Sequence, residues 1–446
     1  MEDKKYYSRA LKVAWPSVLE SFFIALAAMI DTMMVGNLGP YAIASVGLTT
    51  QPKLIGFIIF IAINVSLSAL VARRRGEEDK KGANEIFVTA FILALVLVLL
   101  VSIIAVSLAD PLMRMSGSNH ETHVYSVEYF RIIMGGMVFN VVAMIINAAQ
   151  RGSGNTKIAF VTNLVSSIVN IIFNYLLIEG NFGFPALGVR GAAIATVFGS
   201  FIAMLMAIRS LFNPLSLVDI KYILASKIKL SLASFKSIFE LSFNIFFENL
   251  AMRIGFLITA VTAAKLGTQA FAVHNAGMNI LSLGFSFADG MQVAAVALAG
   301  RSLGAGNREE AITYGHVCQR IGFMISVIFS LVMFFFGKNI MGLYFKDPAI
   351  IEDGVIITRF MMVIVLLQIS QIIYGGCLRS GGDVKYTLVA GIIAVTIIRS
   401  SVTLVTVNIF NLGLYGIWIG ILSDQISRFT LLRHRFKQGK WTEIKI

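Results

Sequence analysis

Apolar runs of roughly 20 residues follow one another along most of the chain, separated by short polar connections. A helix of that length crosses about 30 Å of hydrocarbon, because it rises 1.5 Å per residue. About twelve such runs can be read, centred near residues 25, 62, 97, 138, 169, 201, 250, 285, 325, 366, 399 and 424. The pattern predicts an all-α membrane protein of twelve transmembrane helices. Lys4, Lys5, Arg9 and Lys12 precede the first run, which is longer than the apolar core of a signal peptide and shows no small-residue cleavage site. It is therefore expected to be retained as the first span.

The polar connections repeat. Laid on itself at an offset of 228 (248 − 20), the chain places Glu20 on Glu248 and Leu38-Gly39 on Leu266-Gly267. Ala69-Leu70, Arg73 and Gly76 fall on Ala297-Leu298, Arg301 and Gly304, and Arg151, Gly154 and Lys157 fall on Arg379, Gly382 and Lys385. Agreement at one register from residue 20 to residue 157 argues for duplication. The register then slips by three, where Leu187-Gly188 and Gly191 meet Leu412-Gly413 and Gly416. Six spans per copy is an even number, so both copies enter the bilayer in the same orientation. The expected organisation is two pseudo-symmetric six-helix lobes, residues 1–212 and 238–446, joined by a linker over 213–237.

Composition agrees with this pattern. Hydrophobic residues make up 57% of the 446 and charged residues only 14%, which excludes an ordinary soluble surface. The net charge of +13 invites a nucleic-acid reading, but its placement argues otherwise. With the N-terminus inside, most lysines and arginines fall in inner segments: Arg73, Arg74, Arg75, Lys80 and Lys81, then Lys221, Lys227, Lys229 and Lys236, then the tail from Arg433. That is the positive-inside bias of a multi-pass protein of the cell membrane with both termini cytoplasmic. No nucleic-acid partner is implied. Cys318 and Cys377 both lie in or beside spans, which fits packing better than a disulfide framework or a zinc spacing.

Polar groups inside the spans carry the candidate chemistry, because an aspartate at a helix centre costs ~2.5 to 3.5 kcal/mol to insert. Asp31 stands about 17 residues into the first span, ~25 Å along it, in the outer half of the bilayer. Asn170 and Asn174 are four apart on the fifth span, so their amides share a face and can meet one ligand. The mates of these three at the 228 offset are Thr259, Ile398 and Val402, so the polar cluster belongs to one copy only. The structural alternative is interhelical hydrogen bonding. Glu20 and Glu248 sit nearer the cytoplasmic ends of symmetric helices, where they could serve as gates, attract cations, or brace backbone and halves. Arg253, Asp289 and Arg399 also fall inside spans, and the cheapest arrangement pairs Asp289 with one of the two arginines. His274 is expected to be satisfied by interhelical bonding rather than to carry ions. The 19 methionines and 34 phenylalanines suit a pocket for varied organic cations, although lipid-facing and packing surface accounts for most of them.

The glycine-rich loops RGSGNTK and SLGAGN lack the GxxxxGK[ST] order and follow no strand, so tight turns explain them and a nucleotide cofactor is not expected. No nucleophile with a base and no metal cluster appears, which argues against an enzyme. A channel is disfavoured by the lack of a visible re-entrant filter.

These residues resemble the multidrug and toxic compound extrusion (MATE) family over essentially the whole chain. The resemblance rests on PSVLES at 16 to 21, MIDTMMVGNLG at 29 to 39, QRGSGNTK at 150 to 157 and NIIFNYLLIEG at 170 to 180. In the second copy it rests on AVHN at 272 to 275, GRSLGAGN at 300 to 307, RSGGDVKY at 379 to 386 and LGLYGIWIG at 412 to 420. It implies two lobes, alternating access, and export of amphipathic, often cationic compounds driven by sodium or protons; no other cofactor is expected, and the internal pseudo-symmetry favours a monomer. The family's first-helix aspartate falls on Asp31, its fifth-helix polar pair on Asn170 and Asn174, and a sixth-helix threonine in GAAxAT on Thr196. Two features mix the bacterial branches. The DinF-type aspartate of the fifth-helix pair is Asn174 here, as in NorM-type members. The NorM-type seventh-helix acid is Met252 here, with Asn244 for the proline before it, and Glu248 one turn earlier does not inherit the role. The alternatives that remain are a flippase of lipid-linked precursors and a membrane-embedded enzyme.

Overall fold

The computed structural model describes residues 2–213, 216–345 and 347–444. Residues 1, 214, 215, 346, 445 and 446, which belong to the two expected lobes and the expected linker, lie outside the described residues. The described residues form helices and connections, with no strand among them.

In chain order the helices are α1 (Glu2–Gly36), α2 (Pro40–Gly76), α3 (Lys80–Ser107), α4 (Ala109–Met115), α5 (His123–Gly135), α6 (Met137–Gly152), α7 (Thr156–Leu177) and α8 (Val189–Ser210). The short α9 (Ile220–Ala225) follows, then α10 (Leu232–Lys265), α11 (Thr268–Gly304), α12 (Arg308–Tyr344) and α13 (Pro348–Ser380). The chain continues as α14 (Val384–Gly391), a π-helical stretch (Ile392–Arg399), α15 (Ser400–Asn408) and α16 (Gly413–Lys437). Among the described residues nine segments are long and apolar enough to cross a membrane, and the bent pair α5–α6 makes a tenth. The 33-residue α13, apolar and largely buried, and the 25-residue α16, whose polar and charged positions lower its hydropathy, complete twelve membrane-length segments.

Leu99, Ile103 and Ile104 on α3, and Ile328, Phe334 and Phe335 on α12, expose large apolar side chains. Such faces suit lipid and not water. The protein is a multi-pass membrane protein.

Contacts divide the chain into one compact unit of Leu19–Ser242 and another of Met1–Val18 with Phe243–Ile446. In the first, α2 packs on α3, α5 and α6, and α8 packs on α6 and α7. A small apolar core of Val35, Tyr129, Ile133, Ile178, Val189 and Ala192 gathers there. In the second, α11 packs on α12 and α13, and α16 packs on α13 and α15. Its core runs through Met291, Met361, Ile373, Trp418 and Phe436 and takes in Ala10 and Ala14 of α1.

The duplication is written in the backbone as well as in the residues. α2 and α11 are both 37 residues long and both follow a glycine that only a residue without Cβ adopts easily, Gly39 at φ 116° and Gly267 at φ 107°. Asp79 caps α3 by accepting from Gly82 N at 2.8 Å, and its mate Asn307 caps α12 by accepting from Glu310 N at 3.0 Å.

Three departures matter. The pair α5–α6 bends by 43° at Gly135-Gly136, whereas α13 runs unbroken through the mates Val363 and Ile364. A Cβ at Gly136 would collide with Val197, so the glycine at the bend gives α8 room to approach. The segment that ends as α4 in the first copy is continuous in α12. Finally, the π turn after α14 has no counterpart in α7.

Candidate functional site

α1, α7 and α8 bring Asp31, Asn170, Asn174 and Thr196 together. Asn174, fully buried one helical turn beyond Asn170, donates its amide N–H to Asp31 Oδ1. Asn170 satisfies both of its neighbours in one amide orientation. Its nitrogen then donates to Asp31 Oδ1 at 2.7 Å and Oδ2 at 3.2 Å, while its oxygen accepts from Thr196 N and Oγ1, each at 3.1 Å. α7 and α8 come this close because of Gly199, where a Cβ would lie 2.8 Å from Ser166 O and 3.2 Å from Asn170 Cβ. The carboxylate is thus held by two amide donors. Asn174 Oδ1 is left over, a buried acceptor with no hydrogen-bond partner among the described residues. A buried amide oxygen without a donor is costly, and a cation is one way to satisfy it.

A residue outside the predicted set joins this cluster. Lys53, in the first half of α2, is within electrostatic reach of Asp31, as is Tyr129 on α5. Lysine within an apolar span was a readable signal, since its mate in the other copy is Leu281.

The second copy builds a different arrangement at the corresponding place. The π turn inserts one residue, so beyond it the register is 229 (399 − 170) rather than 228. The packing shows this: Gly191 of α8 lies against Leu177, and its mate Gly416 of α16 lies against Thr406. Asn170 therefore corresponds to Arg399, one position past Ile398, and Asn174 to Thr403. Arg399 Nε donates to Thr259 Oγ1, the mate of Asp31, at 2.9 Å. Arg399 also pairs with Asp424 Oδ2 at 3.5 Å, and Arg428 grips the same carboxylate at 2.7 and 3.1 Å. The Phe256 ring lies 4.7 Å from the Arg399 guanidinium carbon. Asp424 is fully buried and both arginines nearly so.

This corrects one expectation. Arg399 takes Asp424, not Asp289, and Arg253 is half-buried without an ion pair among the described residues. Asp289 likewise has no ion pair among the described residues; it is exposed on α11, with Arg379 within electrostatic reach. Sequence reasoning passed over Asp424 and Arg428 because the span holding them is the most polar of the twelve. His274 is buried edge-on to Trp418 at 6.0 Å, and its Nδ1 finds no partner among the described residues. Cys318 and Cys377 are free and buried. Among the described residues no three His, Cys, Asp or Glu side chains are grouped to hold a metal.

Glu20 and Glu248 are placed alike. Glu20 Oε1 accepts from Arg151 at 2.8 Å and Asn163 at 2.6 Å, and Arg151 reaches on to Asn64 at 3.0 Å. Glu248 accepts from Arg379 at 2.6 Å and Thr387 at 3.1 Å, and Arg379 reaches towards Gln292 at 3.5 Å. All three partners Glu, Arg and Asn/Gln are repeat mates, so the same buried brace ties the first, second and fourth spans of each copy.

Comparison with known proteins identifies the family. The MatE family model matches twice, over residues 16–176 and 245–405, one match per copy. A Thermotoga maritima protein named "Probable multidrug resistance protein NorM" is 29% identical over 437 residues, 97% of this chain and 92% of that protein. A Bacillus anthracis protein of the same name is 25% identical over 99% of both chains. Among solved structures, the outward-facing conformation of a multidrug resistance MATE family transporter of the MOP superfamily superimposes with a TM-score of 0.89 at 25% identity, covering 98% of this chain and 97% of that one. A MOP superfamily transporter from Pyrococcus furiosus, described as having a binding pocket of reversed polarity, gives 0.88 at 25% identity over the same shares. With both copies matched by the family model and the twelve-segment, two-unit fold shared with its solved members, the chain belongs to the MATE family of membrane transporters.

Proposed function

We propose that the chain is a cation-coupled antiporter that exports amphipathic, often cationic organic compounds by alternating access, with its termini in the cytoplasm and Asp31 as the coupling carboxylate. The observation that carries this reading is the Asp31 cluster: one carboxylate within a membrane span, two amides aimed at it, and the oxygen of Asn174 left without a donor. The relatives' names, which speak of multidrug resistance, support the export of small molecules.

The chemistry follows from the donor set. A sodium ion takes hard oxygen ligands, and Asp31, Asn170, Asn174 and Thr196 all carry one; rotation of the Asn174 amide turns its spare oxygen towards the carboxylate. A proton instead binds Asp31 directly; on Oδ2 it leaves Oδ1 to accept from both asparagine amides, whose bonds to the now neutral carboxyl are weaker. In either case a cation replaces the stabilisation that the amides and the nearby Lys53 give the bare carboxylate. Lys53 is the internal positive charge against which the incoming ion competes. Because a ligand shifts an equilibrium only through unequal affinity for its two states, the lobe conformation that best holds the cation is the one that cation loading favours. Thr196 is a positioning residue, holding the Asn170 amide through its own N–H and hydroxyl.

Glu20 and Glu248 act in this reading as braces within their own units, because each is already neutralised by an arginine at hydrogen-bonding distance. The test is uptake of an organic cation by liposomes holding the purified protein, with sodium and proton gradients imposed separately. One of the two gradients drives transport in the natural protein and neither does in Asp31→Asn, while the variant still inserts. Gradient-driven transport at the natural rate in Asp31→Asn refutes the assignment.

A further inference from the structure

The face of α11 that carries Asn275, Asn279, Ser282, Ser286 and Asp289 has no place in the coupling site just described. These positions are spaced 4, 3, 4 and 3 residues apart, which keeps them in one line along a helix. All are exposed except Ser286, which is half-exposed, while Val273, Ala276, Ile280, Leu281, Gly284 and Ala288 on the other side are buried.

Lipid cannot be what this line faces. A row of side-chain amides, hydroxyls and a carboxylate in the middle of a 37-residue membrane helix belongs on an aqueous surface inside the protein. It is not a leftover of the scaffold either. The first-copy mates of Ser282, Ser286 and Asp289 are Leu54, Ile58 and Ile61, so although Gln51 stands at the mate of Asn279, the duplicated fold does not require the hydroxyls and the carboxylate.

The groups on the line favour positive charge. Ser282 donates its hydroxyl proton to Asn279 O at 2.6 Å and Ser286 to Ser282 O at 3.2 Å, so both present lone pairs outwards. Asp289 adds a carboxylate with no ion pair among the described residues; Arg379, within electrostatic reach, is committed to Glu248 at 2.6 Å. Leu283, 40% exposed beside the line, and the half-buried Phe285 and Phe287 supply apolar surface for the body of a ligand.

We propose that this face of α11 binds the transported organic monocation, with Asp289 as its counter-charge and the serine and asparagine oxygens as its polar lining. The assignment rests on the reading of the chain as an exporter of organic cations, but it concerns where the compound binds and not what drives it. Cysteine labelling tests it, because both natural cysteines are buried. Ser286→Cys is treated with a trimethylammonium-ethyl thiosulfonate reagent in the purified protein, with and without tetraphenylphosphonium. Phe335→Cys on α12, 68% exposed on an apolar face, serves as the reference. The expected result is that Ser286→Cys reacts, that tetraphenylphosphonium slows it about tenfold, and that Phe335→Cys is unaffected by the cation. In parallel, Asp289→Asn raises the dissociation constant for tetraphenylphosphonium about tenfold, a loss of ~1.4 kcal/mol, while Asp289→Glu restores most of the affinity. An unreactive Ser286→Cys, labelling that the cation leaves unchanged, or unaltered affinity in Asp289→Asn overturns the proposal. Adding Asp31→Asn separates the two readings: protection at Ser286→Cys persists in that background even though coupling is lost, so failure of the coupling assignment leaves this result intact and failure here leaves the coupling result intact.

Discussion

The two copies put opposite charges at equivalent places. In the first, the Asp31 carboxyl is bonded by two neutral amides, and among the described residues one buried amide oxygen stays unpartnered. In the second, Thr259 stands for Asp31 and Arg399 for Asn170, and Asp424 stands for the Gly199 that lets α7 and α8 touch. A carboxylate with neutral partners is a site that an added cation completes. A carboxylate between two arginines is already complete, and a cation brought to it meets net positive charge. One fold, duplicated, has thus kept its braces in both halves and divided its electrostatics, leaving an ion-binding site in one half and a sealed ion pair in the other.

The largest expected effect comes from breaking the sealed side. Asp424→Asn leaves Arg399 and Arg428 buried without a counter-charge, which is expected to destabilise the protein by about 3–5 kcal/mol. Thermal unfolding of the detergent-purified protein checks this, and a melting temperature equal to the natural one removes the contrast between the copies. On the open side, Asp31→Asn is expected to lower cation-driven efflux about 100-fold, the upper end of ordinary coupling energies, with little change in unfolding temperature. The same pair of variants measured together sharpens the comparison: one loses fold stability, the other loses coupling.

Smaller effects test what the copies share. Glu20→Gln and Glu248→Gln each remove one charged brace and should each cost about 2 kcal/mol. Equal losses in unfolding experiments support a duplicated structural role; a transport defect in one without a stability loss points to gating instead. Smallest is the bend at Gly135-Gly136. Gly136→Ala drives a methyl into Val197 and is expected to cost about 1–2 kcal/mol, whereas Ile364→Val at the mate in straight α13 should cost about 1 kcal/mol.

Much of this was legible along the chain, and the reasons are local. The twelve segments follow from apolar run length, and the duplication from the loop residues, whose turns impose φ values that few residue types meet. Asn170 and Asn174 share a helix, so their common face is a matter of spacing. Asp31 and Thr196 were placed with them by resemblance, and the structure brings all four together. What was not legible depends on contacts between distant helices. The partner of Arg399 lies on another helix, and neither period nor composition chooses Asp424 over Asp289. The π turn that moves the mate of Asn170 from Ile398 to Arg399 leaves no mark in the pattern of apolar residues. Glu20 and Arg151 were both found as repeated landmarks, but that they touch is a fact of packing 131 residues apart. Lys53 is a different case: it was visible as a charge in an apolar run, and its meaning came only from its nearness to Asp31.

The most direct test of the division between the copies is a count of cations bound by the purified protein at equilibrium, by sodium titration and by proton release on sodium addition. The account predicts a single site per chain, sodium or proton, that disappears in Asp31→Asn. Undiminished binding in that variant would place the site elsewhere and contradict the assignment of coupling to the first copy.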